Sequence, residues 1–193
     1  TIPIVFGDTR HGSNGLKLQT MVETDFEFKV LADVCAVGHF VPIPDTPTID
    51  IVPGSPVLWR AVLPSLRRPG ERFHFGVKAE DKWGNPTPLA REQFQFQSTL
   101  PGEGLPETFD YPLGERAVSF DDLRVSEEGE LRITVFRRDT GELVAQSHPM
   151  MIRQGSYSGY WGDLHGQSGE SIGIGTARSY FTFARDCAFL DLT

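Results

Sequence analysis

The chain has 193 residues, 39% of them hydrophobic: enough for one large or two small domains with a sizeable core, and too apolar and evenly patterned for disorder. Its formal charge of -8 opposes a nucleic-acid surface, because phosphate binding needs clustered Lys and Arg. No apolar run reaches transmembrane length, no signal peptide is visible, and two cysteines make neither a disulfide framework nor a zinc knuckle.

In chain order, Ile2 to Phe6 opens an apolar run, followed by a glycine-rich loop and the segment Leu16 to Val22. Phe26, Phe28, Val30, Ala32, Val34 and Ala36 then recur at every second position, which predicts a strand with one buried face. Gly38 breaks the pattern, and Pro42, Pro44 and Pro47 make the next segment an extended edge or linker. Cys35 falls within the apolar strand pattern and Cys187 on the apolar side of a later helix, so both are expected in the core as reduced thiols. That leans toward the cytoplasm, although the first residue is Thr and removal of an upstream segment stays open.

From Ile49 the pattern is strands separated by turns. One strand is predicted over residues 57–63. A second, over 72–80, places Phe73, Phe75, Val77 and Ala79 on one face and a solvent-facing His74 on the other. Arg67, Arg68 and Arg72 lie in the turn-rich break between them and read as solvated turn residues. The stretch from Asp81 to Pro86 is a turn whose Trp83 is expected to be buried. Phe94 and Phe96 alternate in a further strand, ahead of a loop containing Pro101, Pro106 and Pro112, in which Glu103, Glu107 and Asp110 match no calcium spacing. Leu131, Ile133 and Val135 form a strand, and Asp139-Thr140-Gly141 supplies hairpin chemistry. About six or seven strands over 49–153 describe a Greek-key sandwich.

After Gly155 the register changes. Residues 160–167 read as a strand that projects Asp163, His165 and Gln167 to one face, a glycine-rich turn follows, and Thr176 is an N-cap. Ala177, Phe181, Ala184 and Ala188 recur at helical spacing, and Phe189 to Leu192 reads as a second buried strand, completing a parallel crossover unit. The organisation is thus a β segment over 1–48, a β-sandwich over 49–155 and a βαβ unit over 156–193. Asp163, His165 and Gln167 read either as converging metal ligands, with Glu170 as an added carboxylate or base, or as an exposed polar face beside a turn.

The stretch from Pro69 to Pro86 resembles bacterial immunoglobulin-like domains. The run Tyr160-Trp-Gly-Asp-Leu-His-Gly-Gln-Ser-Gly-Glu170, with Tyr180-Phe181, Ala184-Arg185-Asp186 and Leu190-Asp191, resembles the first strand and helix of PHP-type metal-dependent hydrolases. More specifically, it is similar to a bacterial family that joins a β-rich N-terminal region to a PHP-like barrel. The stretches Phe6 to Arg10, Phe28 to Asp33 and Ala79 to Pro86 carry the same likeness. The resemblance implies an immunoglobulin-like antiparallel β-sandwich followed by a short βαβ fragment of an α/β barrel. It implies a phosphoesterase-like hydrolase using divalent Zn, Mn or Fe in the full-length parent, with Asp163, His165 and Gln167 at the metal and Glu170 supporting them. Gln167 stands where the family's His-x-His motif has its second histidine, and an amide oxygen is a weaker ligand. Later barrel strands carry the remaining ligands, so this chain is expected to be a fragment that needs the rest of the barrel, or another chain, to cover residues 156–193. The expected substrate is a small molecule, with no nucleic acid or membrane as partner. The competing reading is a non-catalytic binding or spacer module, with Trp59 and Trp83 as a carbohydrate platform.

Overall fold

The computed structural model describes residues 5–193. The chain divides into two compact units, Thr1–Val52 and Pro53–Thr193. Among the described residues it is mainly β, with several antiparallel sheets and one helix.

The first unit holds β1 (Glu23–Glu27), β2 (Leu31–Ala32), β3 (Val41–Pro42) and β4 (Thr48–Ile51). β1 pairs antiparallel with β4, matching Phe26 to Ile49, and β2 pairs antiparallel with β3. The single strand predicted from Phe26 to Ala36 is interrupted. The Asp33 carboxylate accepts the Val37 and Gly38 N–H groups, which closes a turn, and Ala36 takes φ +53°. Val34 and Cys35 are therefore exposed, and the expectation of a core Cys35 is corrected. The opening run from Ile2 lies largely outside the described residues. No described residue of this unit is fully buried.

The second unit carries β5 (Leu58–Val62), β6 (Leu66–Arg67), β7 (Phe73–Glu80), β8 (Glu92–Ser98), β9 (Thr108–Tyr111) and β10 (Ala117–Leu123). It continues with β11 (Gly129–Leu131), β12 (Ile133–Arg137), β13 (Leu143–Gln146), β14 (Met150–Ile152) and α1 (Ala177–Asp186). One antiparallel sheet runs β10-β7-β5 and another β13-β12-β8-β9. A third, β11-β14-β6, is antiparallel at β11 and parallel at β6.

The alternation read from the sequence sets the core. Phe73, Phe75, Val77 and Ala79 of β7 are buried and share one cluster with Phe94 and Phe96 of β8 and Ile133 and Val135 of β12. Aromatic edges knit it together: Phe75 meets Phe96 with ring centroids 5.6 Å apart, and Trp59 meets Phe94 at 4.7 Å. The strand predicted through Leu131, Ile133 and Val135 is split at Arg132, so that β11 and β12 lie in different sheets. The proline-flanked loop contains β9, whose Tyr111 is buried.

The turn after β7 is built on Asp81. Its carboxylate accepts the Trp83, Asn85 and Gly54 N–H groups and the Asn85 amide, while Gly84 supplies a φ of +86°. This geometry points Trp83 outward. It is 53% exposed with Lys82 over its ring, which corrects the expectation of a buried tryptophan. No helix among the described residues is long and apolar enough to cross a membrane.

Candidate functional site

The segment 160–167 does not form the predicted strand. Its ladder is reduced to one parallel bridge between Gly162 and Leu192. The Asp191 N–H donates to the Trp161 carbonyl at 2.8 Å, and the Asp163 N–H to the Leu192 carbonyl at 3.2 Å. Beyond this rung the chain bends, because the Asp163 side chain accepts the His165 N–H at 2.9 Å. A side chain that ties up the backbone two residues on competes with extension of the ladder, and the alternation read from the sequence is lost there.

The three predicted ligands are therefore only partly gathered. The Gln167 amide nitrogen lies 3.0 Å from His165 Nε2. Asp163 is turned to the His165 backbone and to the Tyr180 hydroxyl, which donates at 3.3 Å. All three residues are exposed. The ring of Tyr180 leaves no room for a Cβ at position 166, so the glycine there lets α1 approach the loop closely.

Glu170 sits at the start of α1, where its carboxylate accepts the Ser168 hydroxyl and, at 3.1 Å, the Ala177 N–H. The Ser168 hydrogen bond, aided by backbone N–H groups, holds this exposed carboxyl below its usual range. An ionised carboxylate committed to a helix N-terminus serves as a cap rather than as a proton donor. Thr176 completes the cap by accepting the Ser179 N–H at 3.0 Å. The glycine-rich loop ahead of it closes on itself, with the Gly169 N–H on the Gly175 carbonyl and the Gly173 N–H on the Ser168 carbonyl, as expected of a turn.

The residues that hold this segment in place do not stand out in the sequence pattern. Arg67, expected in a solvated turn, is 3% exposed. Its guanidinium donates to the Leu66 and Gly159 carbonyls and lies 3.3 Å from the Asp191 carboxylate, with the Tyr160 ring centroid 4.7 Å from its carbon. The acid within the apolar run Phe189 to Leu192 is the one sequence signal that a buried partner exists. Arg68 and Arg72 do behave as solvated turn residues, paired with the half-buried Glu71 and the exposed Asp122 respectively.

Phe189 is 2% exposed and lies against Gly76, where a Cβ would stand 2.5 Å from its ring. His74 is accordingly not solvent-facing. Its side chain is 22% exposed and its Nε2 lies 3.3 Å from the Phe189 carbonyl. The Trp161 indole donates to the Leu63 carbonyl at 3.3 Å. Cys187 is buried, as expected, and burial pushes its thiol up from the usual range.

Among the described residues, no three His, Cys, Asp or Glu side chains are gathered closely enough to hold a metal ion. Asp163, His165 and the Gln167 amide do not by themselves complete a divalent-cation shell. The tryptophan platform is not formed either, because Trp59 packs edge-on against Phe94 and Tyr111 while Trp83 stands outside.

No protein-family model matches the chain. It is similar to an uncharacterized protein of Chlamydia muridarum (strain MoPn / Nigg), 28% identical over 196 residues that cover 97% of this chain. The chain spans 31% of the length of that relative.

Proposed function

We propose that this chain is the β-rich N-terminal part, with the first barrel elements, of a PHP-like metal-dependent hydrolase of the phosphoesterase type. On this reading residues 53–153 are an immunoglobulin-like sandwich and 156–193 the opening of the barrel. Asp163 and His165 contribute to a divalent-metal site whose remaining ligands lie in later barrel strands. Gln167 is a weak ligand or polar clamp, and Glu170 orders the helix beside them. This portion alone does not turn over substrate, because it offers too few donors.

The observation that carries the reading is the parallel rung between Gly162 and Leu192 on either side of α1, with Asp163 directly after it. In α/β barrels the loops following the strands form the active-site mouth. A bare apolar surface supports it as well. Leu164 is 90% exposed and Phe181 53%, and both line a groove of about 340 Å³ together with Asp163, Gln167 and Tyr180. Such a surface fits further barrel polypeptide packing over α1.

The test is the metal content and aryl-phosphate hydrolysis of the longer parent protein, compared with its His165→Ala variant. Loss of bound metal together with hydrolysis is expected. Equal metal content in the two proteins would remove His165 from the site.

A further inference from the structure

We infer that Arg67 is a positioning residue for the Asp163–His165 segment, so that the β-rich region sets the geometry of the site rather than merely preceding it. This rests on the metal-site reading of Asp163 and His165. Arg67 belongs to β6, which pairs in parallel with β14 and is remote in sequence from the segment it holds. Its guanidinium reaches three consecutive residues just ahead of Asp163. It donates to the Gly159 carbonyl, lies beneath the Tyr160 ring, and meets Trp161 through Asp191.

The last link divides the two oxygens of one carboxylate. Asp191 Oδ1 lies 3.3 Å from Arg67, and Oδ2 accepts the Trp161 N–H at 2.8 Å. Asp191 also donates its own N–H to the Trp161 carbonyl, and the adjoining Leu192 carbonyl accepts the Asp163 N–H. Arg67 is thus coupled through one carboxylate to the rung from which Asp163 projects. The Gly159 N–H donates back to Leu66, the neighbour of Arg67 in β6, at 2.9 Å, which fixes the register of the approach.

A guanidinium buried to this degree is retained only with its partners in place. Removing it leaves the Asp191 carboxylate with His74, 4.0 Å away, in place of a guanidinium, and the Gly159 carbonyl without its donor. The effect expected is local to the rung. The Phe189 contact with Gly76 and the Trp161 indole bond to Leu63 still hold the segment against the β core.

The test follows amide hydrogen exchange in the whole 193-residue chain and line broadening by Mn²⁺ alone in the longer parent protein, to which the metal reading assigns the remaining donors. In Arg67→Met, the Asp163 and Asp191 amides are expected to exchange roughly tenfold faster while those of Val77, Phe96 and Val135 stay unchanged. Any Mn²⁺ broadening at Asp163 and His165 weakens in parallel. Asp191→Asn reproduces the local effect from the other side and carries the test if Arg67→Met does not fold. Arg72→Met, which breaks an exposed pair with Asp122, leaves both readouts unchanged. Unchanged exchange at Asp163, or equal acceleration throughout the β core, overturns the inference. Absence of Mn²⁺ broadening at Asp163 and His165 in the longer parent protein counts against the metal reading instead, and the exchange comparison still decides the role of Arg67.

Discussion

Asp81 shows how one buried side chain organises a turn. It is 4% exposed, so burial pushes its carboxyl up, but the hydrogen bonds from Asn85, Gly54 and Trp83 outweigh this and hold it at about 2. A carboxyl depressed in the folded state contributes stability above its unfolded value of 3.8, and that stability is lost as pH falls through about 2. Asp81→Asn is therefore expected to cost about 2 kcal/mol at neutral pH. The gap from wild type should narrow as the medium is acidified across that window, which urea unfolding at a series of pH values will show. The turn itself is legible in the sequence, since Asp, Gly, Asn and Pro at these spacings encode it. The outward direction of Trp83 is not, because it depends on which Asp81 bonds form. Arg67 escapes for a related reason: an arginine in a short polar break looks solvated until the chain supplies a carboxylate from a distant stretch of sequence.

At the scale of elements, α1 is legible from its cap and its period. Thr176 accepts the Ser179 N–H, and Ala184 and Cys187 face the β core. Phe181 shares the predicted apolar period but is 53% exposed, because the helix presents a second apolar side to the groove beside Asp163. The two positions are expected to respond oppositely. Thr176→Ala should destabilise by about 1 kcal/mol through loss of the cap. Phe181→Ser should leave the unfolding midpoint within about 0.5 kcal/mol of wild type, as for an ordinary surface substitution, while reducing self-association. Chemical unfolding and light scattering on the two variants will check both. The strands illustrate the opposite limit of legibility. Alternation locates β7 and β8 because each is paired on both sides. Over 160–167 it misleads, because a strand needs a ladder partner and Asp163 instead bonds its own backbone. Alternation also runs unbroken through Arg132, although the chain changes sheets there.

At the scale of the whole molecule, every fully buried hydrophobic side chain among the described residues lies between Ala61 and Phe189. The unit Thr1–Val52 has strands and aromatic contacts, including Phe6 stacked on Phe28 at 4.3 Å, but no described residue in it is fully buried. Its apolar side chains, Phe26 and Phe28 among them, are half-buried at most, so little apolar area is removed from water to offset chain entropy. Residues 1–52 expressed by themselves are expected to give narrow amide dispersion and no cooperative thermal transition. Dispersed resonances with a sharp melt would show that this unit carries a core of its own. Composition and periodicity identify a mainly β protein. They do not show that the alternating apolar run after Phe26 fails to close a core, because period reports which face is apolar and not whether anything covers it.

The parallel pairing of β6 with β14 also has a consequence in time. Leu66 meets Met151, and Arg67 meets Ile152 and later Asp191, so none of these contacts can form until the chain beyond β13 has been made. Closing so long a loop precedes any gain from the contacts it brings together. The β core around Phe75 and Phe96 draws on strands nearer to one another in sequence, so docking of residues 156–193 is expected to follow it. Until that loop closes Arg67 keeps its charge in water, and once closed its bonds to Gly159 and Asp191 add to the hold that Phe189 and Trp161 already have on the segment bearing Asp163 and His165.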